Sequence, residues 1–364
     1  MARMVARIIT SFMFISAVAW GQMPPIAGMQ AKLKVGDPAP PLSISLWLKG
    51  KPVNLAQGKG AKAYVVEFWA TWCAPCQFSV LELTDLQAKY GDKNLTVVGI
   101  TSADLRRGNT LEAIREYVDQ WGDRMDYTVA FDRDTTTSDA YLAAANQYGI
   151  PTAFVIDREG NIVWIGTPIG PEFREVVAKV IEGSFDPVKH QQIQAKIQAK
   201  FNEADRVAAR GDMKGALAVI EEIFALDPGN LQAIETVCIV YVQELNDRDG
   251  LREWASKYID KHRSNERAMR RIADQLMNTG VLPDRVPDLA VKAARAAYER
   301  GDSRDAETAA IYARALYQVG AIAAAVEIQT KAVAAARGSL AEDFAAVLEF
   351  YKACQKVKQN IETS

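Results

Sequence analysis

The chain has 364 residues, with 43 Lys and Arg against 45 Asp and Glu, which gives a formal net charge of -2. A chain of this length accommodates two ordinary domains, each with its own core. The near-neutral charge argues against a nucleic-acid-binding function, and four cysteines in so long a chain exclude a scaffold held together mainly by disulfides.

The N-terminal segment has the pattern of an export signal. Two arginines precede an apolar run from Ile8 to Trp20, and Ala17-Val18-Ala19 provides a small-x-small cleavage site. We expect residues 1–19 to be a signal peptide for export to an oxidising compartment such as the periplasm. An uncleaved membrane anchor is the alternative. Residues 20–34 contain two prolines and show no clear period, so we expect a linker.

The first predicted strands are short and lie close together. Leu42–Leu48 and Val53–Leu55 flank Lys49-Gly50-Lys51, and a glycine-centred turn between two apolar runs predicts a β-hairpin.

Next comes a β-prone run, Val65–Phe68, that leads to two cysteines separated by two residues, Cys73 and Cys76. The pattern predicts a strand that delivers a dithiol to the start of a helix. Free backbone N–H groups and the positive helix end stabilise a thiolate on Cys73, which we expect to be the more exposed cysteine. Cys76 lies one turn further on, where it can resolve a mixed disulfide. Pro75 fits the first turn, where a helix tolerates a missing N–H.

The following segment alternates between strand and helix patterns and ends on a second hairpin. Such alternation predicts an α/β domain. The predicted helices are 76–90, Asn109–Trp121, Thr136–Tyr148 and Phe173–Ile181, and the predicted strands are Leu95–Ile100, Tyr127–Phe131, Ala153–Ile156 and Ile162–Ile165.

Three motifs in this segment resemble thioredoxin-fold proteins, and more closely the TlpA-like, or redoxin, thiol-disulfide oxidoreductases. The first is Phe68-Trp69-Ala70 followed by Trp72-Cys73-Ala74-Pro75-Cys76, and the second is Gly149-Ile150-Pro151-Thr152 before an apolar strand. The third is Glu67, six residues before Cys73, where thioredoxins carry a buried acid. Val35–Pro40 also resembles the opening of redoxin domains.

The resemblance implies a thioredoxin-like α/β domain over residues 35–186, with a redox-active disulfide between Cys73 and Cys76 and no metal or organic cofactor. It implies a cis bond before Pro151 and a catalytic carboxyl at Glu67 that relays the proton of Cys76. It further implies that substrate is bound by residues of the two loops, namely Trp72, Ala74, Pro75, Ile150, Pro151 and Thr152.

Other readings of a C-x-x-C motif are a zinc site and a structural disulfide. A zinc site needs two further ligands, and the remaining cysteines and histidines are remote in sequence and form no second paired motif. A peroxiredoxin requires Thr or Ser three residues before its cysteine, where this chain has Ala70. One departure concerns the TlpA-like reductases of cytochrome maturation, which commonly carry Glu where this chain has Ser79. That departure puts a role in cytochrome maturation in doubt.

Beyond Asp186 the sequence shows no strand pattern, and Ala-rich helical periods dominate residues 187–364. Two stretches resemble tetratricopeptide repeats (TPR) in the spacing of their small and apolar residues: Ala204, Gly211, Ala216, Ile220, Ile223 and Pro228, and then Ala313, Leu316, Gly320, Ala325 and Ala332. We expect an all-α, TPR-like domain that binds a peptide or protein. A packing or dimerisation module is the alternative. Cys238 and Cys354 are expected to be buried thiols.

The sequence therefore predicts an exported thiol-disulfide oxidoreductase that acts on protein thiol or disulfide clients and exchanges electrons with a redox donor or acceptor. The alternative, from another functional class, is a TPR-type protein-binding module whose N-terminal disulfide is structural or regulatory.

Overall fold

The computed structural model describes residues 31–278, 286–301, 305–336 and 339–362. The predicted signal peptide and residues 20–30 of the predicted linker lie outside this part of the chain. The chain divides into two compact units, with the boundary between Pro187 and Val188. None of the helices in the described ranges is long and apolar enough to cross a membrane.

The first unit is built on a mixed six-stranded sheet. Its strands are β1 Leu46–Lys49, β2 Ala63–Phe68, β3 Leu95–Ser102, β4 Thr128–Asp132, β5 Thr152–Ile156 and β6 Ile162–Gly166, in the order β1-β4-β3-β2-β5-β6. Strands β2, β3 and β4 are parallel to one another, whereas β1, β5 and β6 run antiparallel to their neighbours.

Helices cover both faces of this sheet, which confirms the predicted thioredoxin-like α/β fold. They are α1 Cys76–Tyr90, α2 Leu111–Trp121, α3 Thr136–Ser138 and α4 Pro171–Glu182. Side chains of β2 alternate between two cores because successive strand residues point to opposite faces. Val65 packs with α1, α2 and α4 on one face, while Val66 and Phe68 pack around Tyr141 on the other.

The predicted N-terminal hairpin is wrong. Strand β1 pairs with β4, and Val53–Leu55 forms no strand but precedes a 3₁₀ turn, Ala56–Gly58. Gly50, at φ 74°, turns the chain so close to β4 that a Cβ atom there would lie 2.6 Å from the Thr128 hydroxyl oxygen. The apolar run thus pairs with β4, about eighty residues away in sequence. Turn signals act locally and could not predict that pairing.

The predicted helix Thr136–Tyr148 is also much shorter in the structure. Helix α3 passes into a π-helical turn, Asp139–Ala143, and helical structure ends before Asn146, which has a positive φ of 54°. A left-handed residue of this kind breaks the helical run, so the segment approaches Ile150 as a loop.

Helix α1 is tied to α4 by an ion pair between Glu82 and Arg174. The guanidinium donates two hydrogen bonds to the carboxylate, one of them 2.8 Å long from Nη2 to Oε2. Glu82 is 6% exposed, so Arg174 compensates a charge that is largely shielded from water. The pair ties the second turn of α1, the helix that begins at Cys76, to α4.

The second unit is all-helical in the ranges described, as predicted. Its helices are α5 Pro187–Ala208, α6 Met213–Leu226, α7 Leu231–Ile239, α8 Arg248–His262, α9 Glu266–Asn278, α10 Pro287–Arg300, α11 Ala306–Gln318, α12 Ile322–Ala335 and α13 Ser339–Glu362. Helix α7 continues into a π-helical turn, Val240–Glu244. From α6 onward, contacts join helices that are adjacent or next but one in sequence. The core between them is rich in alanine.

Replacing Arg174 with Met should destabilise the first unit by about 1–3 kcal/mol, because the buried Glu82 carboxylate would lose the guanidinium that donates two hydrogen bonds to it. Tryptophan fluorescence during urea unfolding can measure this, since Trp254 is the only tryptophan after residue 187. Lys179→Met, on the exposed side of α4, is the matched control and should have little effect. Equal stability of the Arg174 and Lys179 variants would contradict the prediction.

Candidate functional site

Strand pairing brings the two predicted site loops together. Phe68, the last residue of β2, is the register partner of Thr152, the first residue of β5. The loop that carries the cysteines leaves β2 at the point where the loop that carries Pro151 enters β5. The Ile150–Pro151 bond is cis, as the resemblance implied.

Cys73 and Cys76 are joined in a disulfide. The backbone N–H of Cys76, the first residue of α1, points at the Cys73 sulfur across 3.2 Å, and an N–H donor in this position stabilises a thiolate. The sulfur also lies 3.6 Å from the carbonyl oxygen of Ile150. Cys73 is 3% exposed and Cys76 is fully buried, so the expected order of exposure holds by a small margin.

Glu67 is fully buried. Its carboxyl accepts a hydrogen bond from the hydroxyl of Ser79 on the first turn of α1. Burial raises the pKa of Glu67 from 4.5 to about 8, although the Ser79 hydrogen bond opposes the rise. This confirms the expected buried acid and its dominant cause, desolvation.

Ser79 joins this carboxyl to the dithiol segment. Its oxygen lies 3.0 Å from the carbonyl oxygen of Cys76 as well as beside Glu67. A hydroxyl has one proton to donate, so Ser79 donates a hydrogen bond either to an ionised Glu67 or to the Cys76 carbonyl. When Glu67 is protonated, its own proton can point to Ser79, and both contacts are hydrogen bonds at once. The sequence marked Ser79 only as a departure from a family pattern.

Sequence reasoning also missed Asn109, which was expected to begin a helix. Asn109 is fully buried and accepts hydrogen bonds from the backbone and hydroxyl of Thr71, at 2.9 and 2.7 Å. Its amide donates to Thr101 and to the carbonyl of Ser102 at the end of β3. It therefore fixes the loop before Cys73. The one sequence signal is its position directly before Thr110, the residue that caps α2.

Three exposed aromatic side chains lie on the segments that carry the disulfide and the cis-proline loop. They are Trp72, Phe78 and Tyr148, which are 39%, 66% and 51% exposed. The guanidinium of Arg107 lies 4.2 Å from the centre of the Trp72 ring. A cleft of about 280 Å³ opens between Trp72, Tyr148 and Ile150. Of the other predicted substrate contacts, Ala74 is exposed, Pro75 is half-buried, and Pro151 and Thr152 are buried.

The other cysteines lie in the second unit. Cys238 is buried as expected, whereas Cys354 is half-buried and contacts the Tyr317 hydroxyl at 3.7 Å. In the described ranges, no cluster of three or more His, Cys, Asp or Glu side chains could hold a metal ion.

The raised pKa of Glu67 predicts a pH-dependent stability. Between pH 4.5 and about 8 the folded protein keeps the Glu67 proton, whereas the unfolded chain loses it. The free energy of unfolding should therefore fall as pH rises through this window, by about 1.4 kcal/mol per pH unit from this group. Below pH 4.5 and above pH 8 this contribution should level off.

Urea unfolding over a pH series should show this fall in the wild type and lack it in Glu67→Gln. The exposed Glu116 provides the control, because Glu116→Gln should keep the wild-type slope. Parallel curves for the wild type and Glu67→Gln would contradict the buried-acid assignment.

Comparison with known proteins agrees with this geometry. Residues 34–180 match the Redoxin family. The chain is 29% identical to Protein FixW of Rhizobium leguminosarum over 219 residues, covering 56% of this chain and 96% of FixW. It is 27% identical to the thiol-disulfide oxidoreductase ResA of Bacillus cereus over 161 residues, covering 44% of this chain and 86% of ResA.

Among solved structures, a thiol:disulfide interchange protein of the thioredoxin family from Chlorobium tepidum matches 41% of this chain and 95% of its own, at 28% identity and a TM-score of 0.33. Residues 34–180, which match the Redoxin family, hold the sheet, the C-x-x-C disulfide and the cis-proline loop described above. The N-terminal unit of this protein is therefore a redoxin domain of the thioredoxin fold, and it is similar to thiol-disulfide oxidoreductases.

Proposed function

We propose that the protein is an exported oxidoreductase whose Cys73–Cys76 pair exchanges disulfides with protein clients. The observation that carries the proposal is the N–H of Cys76 directed at the Cys73 sulfur, with the Ile150 carbonyl beside the same atom. The N–H favours a thiolate on Cys73, and the Ile150 carbonyl is a backbone acceptor to which a client segment can bind.

In the reducing direction, the Cys73 thiolate attacks a client disulfide. A bond forms between Cys73 and one client sulfur while the client S–S bond breaks and its other sulfur leaves as a thiolate. Cys76 then loses its proton and attacks the Cys73 sulfur. This step forms the Cys73–Cys76 disulfide and releases the second client thiol, so that two electrons pass to the client. The same steps in reverse oxidise a client.

Glu67 is the group proposed to take the Cys76 proton. It is fully buried, and Ser79 connects it to the Cys76 backbone. A carboxyl with a pKa of about 8 exchanges protons near neutral pH, where its protonated and ionised forms are both populated. Ile150, Pro151 and Thr152 would bind the client backbone, with Trp72, Ala74 and Pro75 on the facing loop.

The helical unit is proposed to be a TPR-like domain that recruits the client or a redox partner. Support comes from the expected repeat residues: Ala204, Ala216, Ile220, Ile223, Ala313, Leu316, Ala325 and Ala332 are all buried. Contacts between helices that are adjacent or next but one are typical of stacked repeats, and such arrays commonly present an extended binding surface.

A second candidate is a binding protein with a structural disulfide, which the low exposure of Cys73 favours. Insulin reduction with dithiothreitol distinguishes the two candidates. Turnover that requires both cysteines identifies an enzyme, and an inert disulfide identifies a binding module.

Cys76→Ser should trap clients, because Cys73 can still attack but nothing resolves the mixed disulfide. Clients should accumulate as dithiothreitol-sensitive adducts on non-reducing gels, and turnover should be lost. Cys73→Ser is the matched control and should give neither adducts nor turnover. Stronger alkylation of Cys76 than of Cys73 in the reduced protein at neutral pH would reverse the assigned roles.

Cutting the chain after Asp186 should separate chemistry from recruitment. The fragment ending at Asp186 should keep insulin reduction, since every residue assigned to the chemistry lies within it. Trapping of native clients by the Cys76→Ser fragment should fall, because the helical unit would no longer raise the local client concentration. If the fragment traps the same proteins as efficiently as the full chain, the helical unit serves packing or oligomerisation instead.

A further inference from the structure

Four buried polar atoms near the Glu67 carboxyl have no hydrogen-bond partner among the residues described: Oε2 of Glu67, Nε1 of Trp69 and the hydroxyl oxygens of Tyr117 and Tyr127. A buried polar group left in this condition costs about 1–3 kcal/mol, and native proteins contain few of them. Several such atoms gathered in one place therefore require a common explanation.

The sheet brings three of these side chains together. Glu67 is the register partner of Gly99 on β3. A Cβ atom on Gly99 would lie 2.8 Å from the Tyr127 ring and 3.2 Å from Trp69 Nε1. The absence of a side chain at Gly99 thus lets the Tyr127 ring and the Trp69 indole N–H pack against β3 beside Glu67.

Tyr117 approaches from α2. Its ring packs between Trp69 and Trp121, with centroids 5.2 and 5.6 Å away. The Trp121 indole and the Arg124 guanidinium lie near enough to lower the Tyr117 pKa, although no hydrogen bond to the hydroxyl meets normal geometry. Tyr117 is half-buried, in contrast to the buried Tyr127, so it stands on the side of the cluster nearest the surface.

The pKa shifts of the two tyrosines agree with a position close to Glu67. Burial is the main cause of a raised pKa in both tyrosines, and the Glu67 charge raises the pKa of each further, that of Tyr117 to about 12. Both tyrosines therefore remain protonated donors near neutral pH. The groups that face the Glu67 carboxyl are then Ser79 from α1, Trp69 from the dithiol loop, Tyr117 from α2 and Tyr127 next to β4.

We propose that these four atoms enclose a buried water site, and that Tyr127 and Tyr117 are positioning residues that hold this water against the Glu67 carboxyl while its proton exchanges between dithiol and solvent. A buried water makes two to four hydrogen bonds and occupies sites of this polar kind. One Glu67 oxygen meets Ser79 on the dithiol side, and the other meets the water on the α2 side. The Cys76 proton passes to the Glu67 carboxylate and leaves through the water, with no net change in the carboxyl.

The inference rests on the proposed function for the role of the proton but not for the water site. Tyr127→Phe and Tyr117→Phe each remove a hydroxyl that holds the water at the carboxylate. Losing either partner weakens the hydrogen bond from the water to the ionised carboxylate, so the Glu67 pKa should rise by about half a pH unit or more. A residue that merely fills space would lower stability at every pH without moving this titration.

The titration can be followed in the full chain by NMR of ¹³C-labelled glutamate carboxyls, with the Glu67 signal assigned by its loss in Glu67→Gln. Tyr141→Phe is the matched control, because Tyr141 is equally buried on the other face of the sheet and donates to Pro40. It should leave the Glu67 midpoint unchanged. A crystal structure should show water within hydrogen-bond distance of Glu67 Oε2 and the Tyr127 hydroxyl.

Unchanged Glu67 midpoints in both tyrosine variants, or a dry cluster in the crystal, would overturn the water site. The pH profile of Cys76-dependent release of a trapped client gives a separate readout and should shift with the carboxyl midpoint. If the carboxyl titration moves and this profile does not, the water site stands and the proton role of Glu67 in the proposed function is lost. The two failures are therefore distinguishable.

Discussion

Antiparallel pairing of β2 with β5 aligns Phe68 with Thr152, and the geometry of the site depends on this register. The chain leaves β2 towards the dithiol at the same level at which it enters β5 from the cis-proline loop. Because side chains alternate along a strand, a slip of one residue would turn Glu67 towards the opposite core. Such a slip is disfavoured because the Glu67 carboxyl would lose its hydrogen bond with Ser79 and enter the apolar core around Phe154, so loop proximity and carboxyl placement depend on the same register.

The site combines two opposite electrostatic environments around the first turn of α1. At the start of α1, a backbone N–H faces the Cys73 sulfur and favours negative charge there. Beside Ser79, on β2, burial of Glu67 disfavours negative charge, and the Ser79 hydrogen bond only partly compensates. A group poised to lose a proton thus lies close to one poised to keep it. Opposed environments of this kind assign acid and base roles to neighbouring groups.

Much of this site could be predicted from sequence because its signals are local. The bounds of α1, the cis bond before Pro151 and the burial of Glu67 all follow from short motifs that the chain carries intact. The failures involve partners distant in sequence. The run at Leu46 pairs with β4 rather than with its own neighbour, and Asn109 reaches Thr71 across 38 residues. In the sequence, Ser79 was noted only because the family commonly has Glu at this position. Its hydrogen bond to Glu67 depends on where β2 places that carboxyl.

The small loop between β3 and α2 has a consequence for how this protein can diversify. Asp104 and Asn109 close it with paired backbone hydrogen bonds, so the exposed tip around Arg106 can vary without disturbing its base. From the base, Asn109 holds the segment before Cys73, and from the tip, Arg107 covers Trp72. Substitutions or insertions at the tip would therefore change the surface that approaching molecules meet, while the sulfur chemistry stayed constant. Evolution could thus adjust partner choice through a segment that contains none of the reacting atoms.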